Sequence, residues 1–390
     1  MKKRAVVAAL AMALMLFSCG DKDKEVVNGE SIGLGVGETQ VANATPGTEA
    51  ETPADEGGYE EEEEVLPPGK YRSELTNEII DDDIKNQRPI AVMVDNEVTA
   101  LDHFGVNEAD IVYEIMNSTM NDRVTRLMCI VKDWTEIKQF GSVRSTRPTN
   151  FMLAAEYNAI LCHDGGPYYI NNYIAKDYTN NLSGGFARFS NGKATEFTEY
   201  ITYEGYTNPN TGKSYDGLGK RIDSAGYTRE YNEHYPGEHF QFTTREQNLS
   251  NDYGVLAKKA ETVKLPFKHN GSELHYNPDT KTYEYYEYNR AHVDALHGNE
   301  VTSFKNVIIQ KCSFAQLDEK GYLVYNVLVS QPWEGYYLTN GEAVPITWTK
   351  TKEDGLTDYR NAAGNPLVLS TGKTYITLVP DDSWNKLVIE

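Results

Sequence analysis

The stretch FGSVRSTRPTNFMLAAEYNAILCHDGG, beginning at Phe140, collects residue types that handle anions. Arg144 and Arg147 stand three apart among small, turn-forming residues. His163, Asp164, Gly165 and Gly166 close the apolar run that follows. A guanidinium fork matches the oxygens of a carboxylate or phosphate in two-point contact, and a helix starting after Pro148 adds oriented N–H groups. Upstream, Asp95 and Glu114 lie at or near the ends of strand-like runs, and Arg126 lies inside another. Strand ends of an open sheet gather around one crevice. Asp95, Glu114, Arg126, Arg144, Arg147, His163, Asp164, Gly165 and Gly166 therefore form the candidate site.

Three chemistries suit these residues. The first is non-enzymatic binding of an anionic cell-envelope ligand, with peptidoglycan carboxylates or wall-polymer phosphates between the arginines, or binding of a wall-synthesis protein. The second is cleavage of wall glycan, with Glu114 as general acid in an apolar surround and Asp95 as second carboxylate. That chemistry needs the two carboxyls about 5–10 Å apart across one cleft, and opposite faces of a sheet exclude it. The third, a metal-dependent hydrolase using His163, Asp164 and Asp95, has a bare ligand set, and neither a metal nor a cofactor is expected. Against all three stands a structural account. Arg144 or Arg147 pairs internally with Asp95 or Glu114, and the two glycines only permit a chain reversal. No phosphate-binding glycine loop followed by lysine and no Gly-x-Ser-x-Gly elbow occurs.

Positioning these residues requires a sheet. IAVMVDN (90–96), ADIVYEIM (109–116), VTRLMCIVKD (124–133) and NAILCHDGG read as buried strands, with a helix after Pro148 at or near its first turn. From 255 onward short runs rich in tyrosine and β-branched residues alternate with Asn-Gly, Asn-Pro-Asp and Gly turns. The expected fold is α+β. An N-terminal α/β-type domain with a mixed sheet (89–250) precedes a mainly antiparallel β-rich domain (251–390).

The ends and the composition place the chain. Residues 1–19 read as a signal peptide: Lys2, Lys3 and Arg4 precede an apolar run too short for a good membrane span. The run ends Leu16-Phe17-Ser18-Cys19-Gly20, which resembles a bacterial lipobox and implies lipidation of Cys19. Residues 20–88 lack a core-forming pattern and read as a disordered acidic tether. The net charge is -21. Much of it sits in the tether, and an acidic folded part disfavours nucleic acid as a partner. The expected location is the extracytoplasmic face of the cell membrane, with the lipidated Cys19 as anchor and peptidoglycan, another anionic wall polymer or envelope proteins as partners. Cys129, Cys162 and Cys312 lie in apolar contexts and read as buried thiols, with a Cys129–Cys162 pair left open.

RPIAVMVDN, ADIVYE, VTRLMCIV, GSVRSTRP, AAEYNAILCHDGG, YNRAHVDALHGNEV, FKNVII and GKTYITLVP, in this order, resemble the YerB-like family of bacterial lipoproteins. The resemblance covers about 89 to 380. It implies an extracytoplasmic lipoprotein with N- and C-terminal parts and no established reaction. Family members tend to carry an Arg-x-x-Pro-His-Asn type segment after the His-Gly-Gly region. Here that stretch is FARFSNGKATEFTEYITYEG, with Arg188 but no Pro-His-Asn, so any site completed there in relatives is altered.

Overall fold

The computed structural model of the chain describes residues 65–390. The signal segment, Cys19 and the tether as far as 64 lie outside the described residues.

The expected strands form with small shifts at their ends: β1 (Ile90–Asp95), β2 (Ile111–Met116), β3 (Thr125–Val131), β4 (Ile160–His163) and β5 (Asn180–Ser183). Every residue of β1 to β4 is buried, which is why these runs read as continuously apolar. The helix α1 (Pro148–Ala155) places Pro148 at its first position, where the missing N–H costs nothing. The later strands are β6 (Lys258–Lys259), β7 (Asn306–Cys312), β8 (Val329–Thr339), β9 (Glu342–Lys350), β10 (Asp358–Asn361) and β11 (Thr374–Pro380). Between β8 and β9, Asn340 and Gly341 both take positive φ, as a two-residue hairpin turn of matching twist requires.

These eleven strands make one sheet, in the order β6-β9-β8-β7-β11-β2-β3-β1-β4-β5, with β10 on β9. The junction between early and late strands is β11, which pairs in parallel with β7 on one side and with β2 on the other. The later strands otherwise pair mainly antiparallel, so the parallel β7–β11 pair is an exception at the centre of the sheet. Residues on the two sides of position 250 also share this sheet.

Strand alternation gives the sheet two faces. One carries Val92, Val94, Val112, Leu127, Val307 and Tyr375 and is covered by a second sheet that contributes Val263, Leu274, Tyr283, Tyr285 and Phe304. The other carries Ala91, Met93, Tyr113, Ile115, Met128 and Ile376 and is covered by α1 together with Phe240, Leu249 and Tyr325.

The ordered part begins earlier than residue 89. Lys70–Arg72 pairs with Ile79–Asp81, Leu75 joins the second core, and Arg88 is fully buried. Arg88 donates to the Asn158 carbonyl at 2.7 Å and to Asn180 Oδ1 at 2.6 Å. The polar composition of 65–88 hid the few residues that anchor it.

Cys129, Cys162 and Cys312 are free and buried. Val92 of β1 lies between Cys129 on β3 and Cys162 on β4 in register. Two strand spacings, roughly 9–10 Å, exceed the reach of a disulfide.

Candidate functional site

β1, β2 and β4 all end at one edge of the sheet, where antiparallel β3 begins. Asp95, Asn117, Arg126 and His163 therefore lie along that edge. The segment 142–147 crosses it, fixed by backbone bonds from Asp95 N to Ser142 O, Arg144 N to Met93 O and Asp164 N to Arg144 O. The sequence leaves little freedom here. Gly165 takes φ 72, and a Cβ on Gly166 would lie 2.5 Å from Ile170 and 3.2 Å from the Thr146 carbonyl. The two glycines thus let the reversal press against the arginine segment, and Thr146 N donates to Gly165 O at 3.1 Å.

Three arginines converge. Arg144 is the outermost: its Nε lies 2.7 Å from Asp95 Oδ2, its Nη1 3.1 Å from Glu196, and its guanidinium covers the Phe197 ring. Arg126 is buried and donates through Nη1 to Asn117 Oδ1 at 2.9 Å and to the Ser145 carbonyl at 2.5 Å. Its Nε is buried without a hydrogen-bond partner. Arg147, also buried, donates through Nε to the Asn117 carbonyl and through Nη1 to the Thr146 carbonyl, and lies over the Tyr322 ring at 4.6 Å. Among the described residues, neither Arg126 nor Arg147 has a carboxylate within ion-pair distance. Burial pushes the Arg126 guanidinium down to about 10. Burial, with Arg126 nearby, pushes Arg147 down to about 9. Both stay charged at neutral pH. Their positive charges are held in protein by neutral carbonyls, hydroxyls and an aromatic face, an arrangement that a ligand anion would relieve.

The other expected residues separate from this group. His163 is buried, donates Nδ1–H to the Gly165 carbonyl at 2.8 Å and accepts from Asn181 at Nε2 at 3.1 Å, against the edge of Phe151. Both ring nitrogens are occupied, so the ring orients the reversal. Asp164 reaches Arg188, which also holds Glu199 at 2.6 Å. Burial and the neighbouring Asp164 raise the Glu199 carboxyl to about 7. Arg188 is thus engaged with two carboxylates.

Glu114 lies on the opposite face from Asp95. It shares the face of Val112 and Tyr375, whereas Asp95 follows Ala91 and Met93. It is fully buried and accepts from Thr125 Oγ1 at 2.8 Å, Asn270 Nδ2 at 2.8 Å and Ser272 Oγ at 2.6 Å, and from the Tyr375 hydroxyl. The expected pair of carboxyls across one cleft is not present. Residues the sequence reading missed are Asn117, Ser145 and Tyr322. Only the spacing of Ser145 between the arginines hinted at any of them.

Protein-family models match 75–228, as "Protein of unknown function (DUF3048) N-terminal domain", and 263–376, as the corresponding C-terminal domain. The chain is 24% identical over 318 residues to "Putative lipoprotein YerB" of Bacillus subtilis (strain 168), covering 80% of this chain and 87% of that protein. The crystal structure of the YerB protein from Bacillus subtilis is similar at a TM-score of 0.67 and 19% identity, over 82% of this chain and 100% of that one. A lipoprotein of unestablished activity fits these relationships, and no helix of the described residues is long and apolar enough to cross a membrane. With both family models matched in order along one chain, the protein belongs to the DUF3048 family, whose function is unknown.

Proposed function

We propose that this chain is a lipid-anchored, extracytoplasmic binding protein that holds an anionic cell-envelope ligand, a carboxylate or phosphate of peptidoglycan or another wall polymer, between Arg126, Arg144 and Arg147. One observation carries the reading: Arg126 and Arg147 are buried beside each other with no carboxylate within ion-pair distance among the described residues. A buried guanidinium without a counter-charge destabilises a fold, and a purely structural arginine is normally paired. Arg144 fits the same role at the rim, because its pairing with Asp95 leaves it about a quarter exposed. The lipobox-like Cys19 and the acidic spacer support placement at the membrane surface with reach toward the wall. Glycan cleavage is not favoured, because Glu114 is enclosed by donors on the other face.

The test is co-sedimentation of the purified chain with isolated sacculi, beside Arg147→Gln and Arg126→Gln. The expected result is retention of the parent chain and a loss of at least about tenfold in each variant, with unchanged circular dichroism. The expected salt dependence is modest, since charge contacts to buried guanidiniums are screened little. Equal retention of parent and variants, or no retention of either, would overturn the reading.

A further inference from the structure

A second polar cluster lies between the two sheets. His103, from the loop after β1, meets His292 and Glu287 of the covering sheet, and all three are buried. The neighbours of each imidazole decide where its proton sits. His103 Nε2 lies 2.5 Å from the Asp95 carbonyl oxygen. A carbonyl only accepts, so Nε2 carries the hydrogen and Nδ1 of the neutral ring carries a lone pair. His292 Nδ1 lies 2.8 Å from Thr302 Oγ1. That hydroxyl gives its one hydrogen to Asn107 Oδ1 at 2.6 Å, and Asn107 Nδ2 in turn donates toward the Glu300 carbonyl. Thr302 therefore accepts from His292 Nδ1–H, and Nε2 carries the lone pair.

The two lone-pair nitrogens, His103 Nδ1 and His292 Nε2, face each other at 2.7 Å. Something positive has to lie between them. The Glu287 carboxylate is the third member: its Oε1 is 3.8 Å from His292 Nε2, is buried and accepts no hydrogen bond. Single ligand atoms from the three residues lie within 4.8 Å of one another. Oδ1 of Asn96 and of Asn270, in the same polar cluster, are also buried and unpartnered.

We propose that His103, His292 and Glu287 bind one divalent transition-metal ion of the zinc class. Two neutral imidazoles and a carboxylate suit such an ion. Each histidine already has the outer partner that metal-bound imidazoles use, the Asp95 carbonyl for His103 and the Thr302 hydroxyl for His292. At metal–nitrogen distances of about 2.0–2.1 Å the two nitrogens sit roughly 3.3 Å apart in a tetrahedral site, so binding opens the pair by about half an ångström.

Asp294, two residues after His292, supports the same site. Asp294 accepts from Gly105 N at 2.9 Å and Asn107 N at 2.8 Å and so pins the loop that carries His103. His103 lies in the stretch matched by the N-terminal family domain, Glu287 and His292 in that matched by the C-terminal one. The ion would fasten the two halves and contribute to stability rather than catalysis. This revises the expectation that no metal is bound.

The test is elemental analysis of the whole chain, made without a histidine tag in zinc-supplemented medium. The expected result is close to one zinc per chain, with a melting temperature that falls on chelation and recovers with zinc. Cobalt loading reads the ligand set directly, as a visible d–d absorption. Glu287→Gln, which keeps the shape, is expected to lose affinity at least about tenfold and to change that spectrum. Metal below about a tenth of an equivalent, with melting insensitive to zinc and chelator, would mean that the imidazoles share a proton. A cobalt spectrum unchanged in both Glu287→Gln and His292→Asn would place the metal elsewhere. Either result overturns the proposal.

Discussion

Glu114 and Arg147 are both buried charged residues, but their surroundings differ. Glu114 satisfies its oxygens with Thr125, Asn270, Ser272 and Tyr375. Its removal strands several buried donors at once, and an unmade buried hydrogen bond costs more than a made one contributes. Glu114→Ala is therefore expected to lower stability by about 3–5 kcal/mol, read as a shift of the urea midpoint. A loss below about 1 kcal/mol would mean that the surrounding hydroxyls and amides re-pair without it. Arg147 has the opposite profile, with neutral acceptors, a tyrosine face and, among the described residues, no counter-ion. Its substitution is expected to affect ligand retention more than stability. In the sequence the two residues look alike, as charges within or next to apolar runs.

At the scale of elements, β1 organises the N-terminal half. It has β3 on one side and β4 on the other, and its last residue holds the rim arginine. Its position also separates Cys129 from Cys162. Native protein is expected to leave Cys129, Cys162 and Cys312 unlabelled by iodoacetamide, and denatured, unreduced protein to take label on all three, counted by mass. Two fewer labels in the denatured chain would reveal a disulfide and contradict the register. The strands and α1 could be read locally because they are buried on both faces or begin at a proline. The 65–88 segment could not, because Leu75 and Arg88 find their partners only in distant parts of the chain.

At the scale of the whole molecule, β11 comes from the last twenty residues and sits in the middle of the sheet against β2. Without it β2 exposes an edge, and Ile376 and Leu378 leave the core that α1 covers. A fragment ending at 250 is expected to show no cooperative thermal transition, whereas 65–390 melts in one. A sharp independent transition in the fragment, by circular dichroism and tyrosine fluorescence, would show that the early strands form a self-sufficient unit.

By itself the sequence determined what depends on neighbours along the chain: which runs are strands, where α1 starts, which residues crowd the reversal at Gly165 and Gly166, and the acidic composition of 51–64. The tertiary structure decided which of the charged residues meet. Asp95 and Glu114 lie on different strands, so the face each one takes depends on the register between strands, and a shift of one residue would exchange the faces. His103 and His292 are 189 residues apart and face each other only because one sheet stacks on another. Alternation within a strand is written locally, whereas register and stacking are set by how apolar faces fit together.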